Sequence, residues 1–582
     1  MKNYKKVYAA FILAGGLILH GCNGIFDDLA INPNQPSMGA YFTSPSAVND
    51  AVMTMYGYMS TQRCLGASGS KTTIIRSDEA SSNSDYGKPG MFGADLNASY
   101  YTIEQPYTLM YTTASQASYI IETAPSVDFS GNEELRNAYM GEAYFWRAFA
   151  HYYLLINFRN ISPIRQMPRN GDDYVRPLEK PAAVWNFIQE DLAHAKELLP
   201  VKGYWDSKNA GRVTKASAAA LLGKAYLYRS GIEQYYGEDK TTFYSEAAKE
   251  FGDVIDGKYG TYDLTKNYAD NFDVAHENNE ESILEFQFLG DVDNAGFNPG
   301  LATSGLAFDS RGLMLPGAGV GYEGVVHNWL YNAFVNSVDK DGYTDIRMFS
   351  TMIFNDLDAS IHLRNDAGGN PVRLEGPGGY KWEELYPAKN GKEGFATVSN
   401  PLAHSFKAGI RKGIDCSMPT QTEADGTPKL VGVGAGVKEY VYNQPRAHGV
   451  NGRYIRYADV LMMYAEAIVS GGTQASNMTP LQAVNKVRGR VNMSELPSVT
   501  MTDIQNERIL EFALEGHRFY DLLRWGKLAS RFTELQESDP NFKKFISADD
   551  FKGFVTNKHE WLPIPINEVN SNPYITENNP GY

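Results

Sequence analysis

Apolar and small residues recur every three to four positions in several long stretches of the chain. Over Val213 to Ser230 they fall at Ala216, Ala219, Ala220, Gly223, Tyr226 and Leu227, one helical stripe. Its small members would let a neighbouring helix come close. Tyr454 to Val469 repeats the pattern with Ala458, Leu461, Met462, Ala465 and Ile468. Glu133 to Phe158 is apolar nearly all round, with Phe145, Trp146, Phe149, Tyr152, Tyr153 and Leu154, which predicts a central, buried helix. Ile504 to Lys527 carries Ile509, Phe512, Ala513 and Gly516 on one side and predicts a fourth helix. Strands are indicated only in short pieces such as Ile283 to Phe288.

Paired amphipathic helices with Ala, Gly and Tyr at tight contact points predict a mainly α fold, a scaffold of tetratricopeptide-like helix pairs. No regular repeat period is visible, so the repeats would be divergent. Residues 289–450 read differently. Gly, Pro, Asn and Asp are dense there, as in Gly296 to Gly300, Gly317 to Gly324, Asp366 to Gly379 and Gly432 to Gly436. A turn-rich insertion of this length on a rigid scaffold is where function is expected.

The N-terminus opens with Lys2, Lys5 and Lys6, then an apolar run from Val7 to Leu19 and the tetrapeptide Leu19-His20-Gly21-Cys22. The run is too short to span a bilayer comfortably and reads as a cleaved export signal. The tetrapeptide resembles the lipobox of bacterial lipoproteins, with His20 at a position more often small. That resemblance makes Cys22 a lipid anchor; the alternative is an ordinary secretory signal containing a cysteine. Two acyl chains would give stable anchoring where one would not. The following Asn23 to Asp28, ending in two aspartates, resembles the surface-export signal of Bacteroidetes lipoproteins.

Net charge is −15 over 582 residues, and the removal of three lysines with residues 1–21 takes it to −18. So acidic a body excludes nucleic acid as an expected partner, because phosphate binding needs clustered Lys and Arg. Beyond Cys22 only Cys64 and Cys416 remain, so there is no disulfide framework and no Cys-rich metal site; whether the two meet is open. The 38 Tyr, 28 Phe and 7 Trp suit wet binding surfaces, where a ring stacks while its polar edge stays bonded.

Motifs for chemistry are absent or incomplete. Gly319-x-Gly321-x-x-Gly324 matches a dinucleotide fingerprint in letters, but no βαβ pattern surrounds it. No phosphate-binding P-loop, HExxH or GxSxG occurs. Asp339-Lys340-Asp341-Gly342 starts like a calcium loop without the remaining ligands and reads as a turn. Neither a cofactor nor a metal is expected. Glycoside hydrolysis needs two positioned carboxylates. Glu511 and Glu515, with Arg508 and Arg518 each three residues away, are spaced for ion pairs along a helix, a structural network rather than an acid/base pair.

Four segments carry a family resemblance. Glu507-Arg508-Ile509-Leu510-Glu511-Phe512-Ala513-Leu514-Glu515-Gly516-His517-Arg518-Phe519-Tyr520-Asp521-Leu522-Leu523-Arg524-Trp525-Gly526 closely resembles the signature of RagB/SusD nutrient-binding lipoproteins. Arg456 to Ala467, Gly141 to Ala148, and Leu562-Pro563-Ile564-Pro565 with Asn578 to Tyr582 are similar to that family too, in its order. The resemblance implies a helical scaffold with a variable loop-rich ligand region. It also implies a partner, a SusC-like TonB-dependent outer-membrane transporter over which the lipoprotein sits as a lid. No binding role is carried onto Arg508, Glu511 or Trp525, which would be scaffold.

Family members hold sugar on a shallow surface built from the loop after the first helix and from the middle insertion. Aromatic platforms meet apolar sugar faces, and Asp, Asn and Arg meet the hydroxyls. The matching candidates here are Asp78, Asp85 and Tyr86, then Asn294, Phe297 and Asn298, then Arg364, Tyr380, Trp382 and Tyr386. Trp382, in the turn-rich Gly378 to Trp382, is the strongest platform candidate; Trp329, in the helical-looking Val326 to Val335, is read as core. The expected organisation is a signal peptide 1–21, a tether 22–40, an N-terminal helical part 41–288, the ligand-binding insertion 289–450, and a C-terminal helical part 451–582. The function this implies is non-catalytic capture of an oligo- or polysaccharide at the cell surface, on a lipid anchor in the outer membrane. A peptide-capturing RagB-like member is the alternative among binders, and a surface glycoside hydrolase the alternative of another class.

Overall fold

A computed structural model gives the structure of residues 42–61, 64–65, 71–82, 92, 96–169, 171–288, 308–309, 324–354, 360–365, 408–412, 430–432, 438–440, 447–448, 450–539 and 553–582. The architecture is mainly α, as the periodicity predicts. The N-terminal helices are α1 (Pro45–Met59), α2 (Tyr101–Thr123), α3 (Glu133–Phe158), α4 (Pro181–Leu198), α5 (Lys215–Tyr236) and α6 (Tyr244–Ile255). From α2 onward each packs on the next. The predicted central helix is α3, whose Phe145, Trp146, Phe149 and Tyr152 have no solvent contact. It starts where the Asn132 side chain accepts from the Leu135 N–H at 3.1 Å, and stops at Arg159, held at φ 61°. The small-residue stripe of α5 does what its composition suggests. A Cβ at Gly223 would lie 2.8 Å from the Phe251 ring of α6.

Strand β1 (Ala80–Ser82) lies between α1 and α2, and β2 (Ser282–Phe286) follows α6. Then come β3 (Phe308–Asp309), β4 (Gly324–Val326), helices α7 (Asn328–Val335) and α8 (Arg347–Thr351), β5 (Met352–Phe354), β6 (Ala408–Ile410), β7 (Leu430–Gly432), β8 (Lys438–Tyr440), β9 (Ala447–His448) and β10 (Gly452–Arg456). The C-terminal helices are α9 (Tyr457–Val469), α10 (Pro480–Arg490), α11 (Met501–Glu511), α12 (Arg518–Arg524), α13 (Leu528–Ser538) and α14 (Ile566–Ser571). β10 pairs antiparallel with β2, and α6 packs on α9, so the two helical parts share one core. Among the described residues no helix is long and apolar enough to cross a membrane.

Two sequence expectations are corrected. Tyr454 to Arg456, expected as the first turn of a helix, belong to strand β10, and the helix starts at Tyr457. The predicted helix over Ile504 to Lys527 is two helices, because the chain breaks at Phe512 to His517. Leu514 and Gly516 take φ of 61° and 82° there, and the Leu514 N–H donates to Glu79 Oε1 at 2.9 Å instead of to a helical carbonyl. A Cβ on Gly516 would sit 2.8 Å from Thr73 Oγ1, so the turn packs directly on the segment before β1.

The break also re-pairs the signature charges. Glu511 meets Arg347 (3.0 Å), Arg456 (2.6 Å) and Arg490; Glu515 meets Arg456 (2.9 Å) and Lys412 (2.8 Å). Arg508, expected beside Glu511, instead holds Asp459 (2.9 Å) and Asp521 (2.8 Å), and Arg518, expected beside Glu515, holds Asp78 (2.9 Å). The structural network expected of these acids is present, with different partners. Its members are buried, where each charge is tolerable only because its partner is in place. The C-terminal asparagines have backbone work: Asn578 both accepts from and donates to the Ile564 backbone, and Asn579 Nδ2 donates to the Phe158 and Leu562 carbonyls.

Candidate functional site

Of the expected site residues, Cys22, Asp85, Tyr86, Asn294, Phe297, Asn298, Tyr380, Trp382 and Tyr386 lie outside the described residues; Asp78 and Arg364 lie within them. Asp78 is corrected from ligand contact to scaffold. It is 0 % exposed, and its carboxylate accepts from Arg518 Nε (2.9 Å), Arg518 Nη2 (3.0 Å) and Arg531 Nε (2.6 Å). Burial pushes its carboxyl up, but the two guanidiniums outweigh that and hold its pKa at about 2. A carboxylate held by two guanidiniums and shut off from solvent is out of reach of a sugar hydroxyl. Trp329 is packed as expected. Its indole N–H donates to the Asp78 carbonyl at 2.5 Å, and the Arg531 guanidinium lies 4.2 Å over its ring.

Asp78 anchors the start of a four-stranded sheet of order β1-β4-β6-β5. Its register puts Ser82 opposite Gly324 and Ala80 opposite Val326; Val326 in turn faces Ala408, and Ala408 faces Phe354. One end of the sheet therefore holds Ser82, from which the chain enters the stretch with Asp85 and Tyr86, beside Gly324, the first residue of β4 within the insertion. The other end holds Phe354 and Ala408, which bracket the stretch with Tyr380, Trp382 and Tyr386. Three-residue strands are only about 10 Å long, so both ends lie within the span of a short oligosaccharide.

Inside this sheet a Ser–His pair was not foreseen. His327 Nδ1 is 2.8 Å from the Asp78 carbonyl, so it carries the proton, and Nε2 accepts from Ser81 Oγ at 2.5 Å. Burial lowers the His327 pKa to about 4 and keeps the ring neutral. Both residues are buried, and the third position is a backbone carbonyl, so the pair fastens β1 to β4. Their separation of 246 residues gave no signal in the sequence.

Arg364 borders a surface cleft of about 330 Å³ with Lys266, Asn267, Asp270, Ile346 and Phe349. It pairs with Asp339 and, at 3.3 Å, Asp341, and lies 5.0 Å over the Tyr343 ring. The Asp339 carboxylate accepts from the N–H groups of Asp341 (2.9 Å) and Tyr343 (3.0 Å), while Gly342 takes φ 87°. The residues read as a turn do form one. The cleft combines apolar faces with Lys, Arg and Asn donors, a mixture suited to a hydroxylated ligand. Among the described residues no group of three or more His, Cys, Asp or Glu could hold a metal ion. Cys64 is a free, buried thiol.

A tetratricopeptide-like helical scaffold that consumes its own charged residues and carries one small four-stranded sheet defines the class. The comparisons place it. Residues 419–582 match the SusD family, and residues 31–227 match a family described as starch-binding, associating with outer membrane. A SusD-like protein of Bacteroides ovatus is 25 % identical over 90 % of this chain and 83 % of its own length. A SusD superfamily protein from Bacteroides vulgatus superposes with a TM-score of 0.67 at 22 % identity, over 93 % of this chain and 100 % of that one. The surface glycan-binding protein A of Bacteroides thetaiotaomicron, solved in complex with laminarihexaose, gives 0.65 at 19 % identity, over 92 % and 100 %. The chain belongs to the SusD-like family.

Proposed function

We propose that this protein is a non-catalytic glycan-binding lipoprotein, anchored in the outer membrane through Cys22 and exposed on the cell surface. It captures an oligo- or polysaccharide and passes it to a SusC-like TonB-dependent transporter. Residues 1–21 are its signal, 22–40 its tether, 41–288 and 451–582 its scaffold, and 289–450 the insertion that carries ligand contacts.

The observation that carries this reading is the division of labour among polar groups. Glu507, Glu511, Glu515 and Asp521 each hold buried guanidiniums, so the signature supplies no spare carboxylate pair for hydrolysis. The sheet meanwhile gathers the ends of the segments expected to meet sugar. The laminarihexaose complex of a similar fold supports a carbohydrate ligand, and the outer-membrane family description supports the location.

Calorimetry of the mature chain against a glycan panel and a peptide mixture tests the reading, with product analysis of each glycan after incubation. Saturable binding of a glycan that is recovered intact is expected. Binding of peptides alone would overturn the glycan assignment. Release of new reducing ends, abolished by a single carboxylate substitution, would overturn the non-catalytic one. Cys22→Ala is expected to free the protein from the membrane fraction, and pull-down on the native protein to retain the transporter.

A further inference from the structure

A partly open cavity of about 160 Å³ lies where α3, α5, β10 and the turn between α11 and α12 meet. Tyr152, Tyr228, Tyr454, Tyr520 and Phe286 give it aromatic walls. The strand on one side is irregular. β10 pairs with β2 through Arg453↔Glu285 and Ile455↔Leu284, with a register shift between them, so a bulge falls at Tyr454. Neighbouring side chains of a regular strand point to opposite faces. The bulge lets Arg453 and Tyr454 border the same cavity.

Hydrogen bonding around this cavity does not close. Arg453 Nη1 is 2.8 Å from Glu285 and donates to the Asn451 carbonyl at 3.3 Å. Among the described residues its Nε and Nη2 have no partner, although the side chain is only 3 % exposed. The hydroxyls of Tyr152 and Tyr228, on fully buried rings, also lack partners among the described residues. Buried donors are costly to leave unpaired, and native structures meet them with water or a ligand. Cationic side chains border it: Lys224, Lys412 and Arg453, with Glu515 on the same wall and Asp459 and Glu285 behind it. Glu515 is taken by Lys412 at 2.8 Å, and Lys224 has Asp459 at 3.3 Å, a carboxylate it shares with Arg508. His517, on the same wall, is held neutral by burial, with a pKa of about 4.

Nε and Nη2 are the parallel donors with which a guanidinium grips an oxyanion in a fork. Single waters would meet these donors one at a time; an oxyanion carries two oxygens on one group and meets both together. We propose that this cavity binds a small carboxylate- or sulfate-bearing ligand on the Arg453 fork, with the Tyr152 and Tyr228 hydroxyls donating to it. The ligand is either a free ion or the acidic group of a sugar. This site stands apart from the surface glycan site, and either can fail alone.

The test titrates the full mature chain with sodium sulfate, sodium acetate and sodium glucuronate, against sodium chloride at matched ionic strength and glucose as an uncharged control. Saturable binding of at least one oxyanion, with a rise in Tm beyond that of chloride, is expected. Arg453→Gln should weaken it by about tenfold or more. The double variant Tyr152→Phe/Tyr228→Phe keeps both rings and should weaken it several-fold, so it decides the matter if the arginine variant does not fold. Glucuronate tighter than acetate and sulfate identifies an acidic sugar; equal affinities identify a free ion. No saturable effect beyond chloride, or affinities unchanged in the double variant, would overturn the site.

Discussion

Asp78 and Arg518, 440 residues apart in the chain, meet as a buried bidentate ion pair of 2.9 and 3.0 Å. The pair ties the base of β1 to the first residue of α12, and Arg531 adds a third bond at 2.6 Å. Removing one side of such a pair leaves an uncompensated buried charge. Asp78→Asn is therefore expected to cost about 3–5 kcal/mol in urea unfolding, several times what a surface pair is worth. Glycan affinity, measured where the variant is still folded, should stay within error of wild type. A stability loss below about 1 kcal/mol, or a selective loss of affinity, would return Asp78 to the ligand site.

Next to it, Glu79 behaves in the opposite way. Burial, reinforced by the charge of Asp78, pushes its carboxyl up from 4.5 to about 8. The folded protein thus holds a proton that the unfolded chain releases near pH 4.5. The stabilisation is complete below that pH and is lost as pH rises to about 8, at a slope on the order of 1 kcal/mol per unit. His327 and His517, lowered by burial to about 4, pull the other way between about pH 4 and 6.5. The difference between wild type and Glu79→Gln isolates the glutamate. The two should be closely matched at pH 5 and diverge in favour of Glu79→Gln by pH 8, in unfolding measured at each pH.

Local pattern revealed the helices because α3 and α5 write their burial into a 3.6-residue period. It could not reveal the break at Leu514, since apolar residues continue on both sides of it and the deciding partner, Glu79, is 435 residues away. The same holds for the site. Asp78 reads as a loop acid from its polar neighbours, and only the arrival of Arg518 and Arg531 takes it out of reach. Arg453 gives no signal at all, because its unpaired fork depends on the bulge at Tyr454 and on what β2 offers opposite. The family signature was legible as a string of residues, while its charge partners were not, because the break redirects Arg508 from Glu511 to Asp459 and Asp521.

Close helix contacts predict opposite outcomes for two glycines. Gly231 lies in α5, where a Cβ would come 2.6 Å from the Arg524 carbonyl oxygen and 2.8 Å from Arg524 Cβ. Gly→Ala inside a helix ordinarily gains about 0.5–1 kcal/mol. Overpacking against backbone costs about 1–3 kcal/mol and should win, so Gly231→Ala is expected to lower stability. Gly489 in α10 has no atom within 4 Å of an added Cβ, and Gly489→Ala should raise stability. Thermal unfolding of both variants checks the pair; a stabilised Gly231→Ala would mean that α5 and α12 are not in close contact.

Arg364 offers the remaining test of where ligand is held. Its side chain is 36 % exposed, and it pairs with Asp341, itself exposed, as well as with Asp339. Asp341 is exposed and its pair is worth about 0–1 kcal/mol, while the buried Asp339 keeps the N–H groups of Asp341 and Tyr343, so Arg364→Ala should cost only about 1–2 kcal/mol in unfolding. If the cleft with Phe349 and Lys266 holds part of the glycan, the loss of its guanidinium removes a charge-assisted hydrogen bond, and affinity should fall about tenfold. Trp382→Ala should do the same through the loss of a stacking face, without a change in stability. Calorimetry with the glycan found in the panel compares the two. An effect of Trp382→Ala without one of Arg364→Ala would confine binding to the stretch around Tyr380, Trp382 and Tyr386 and remove the Arg364 cleft from the path of the ligand.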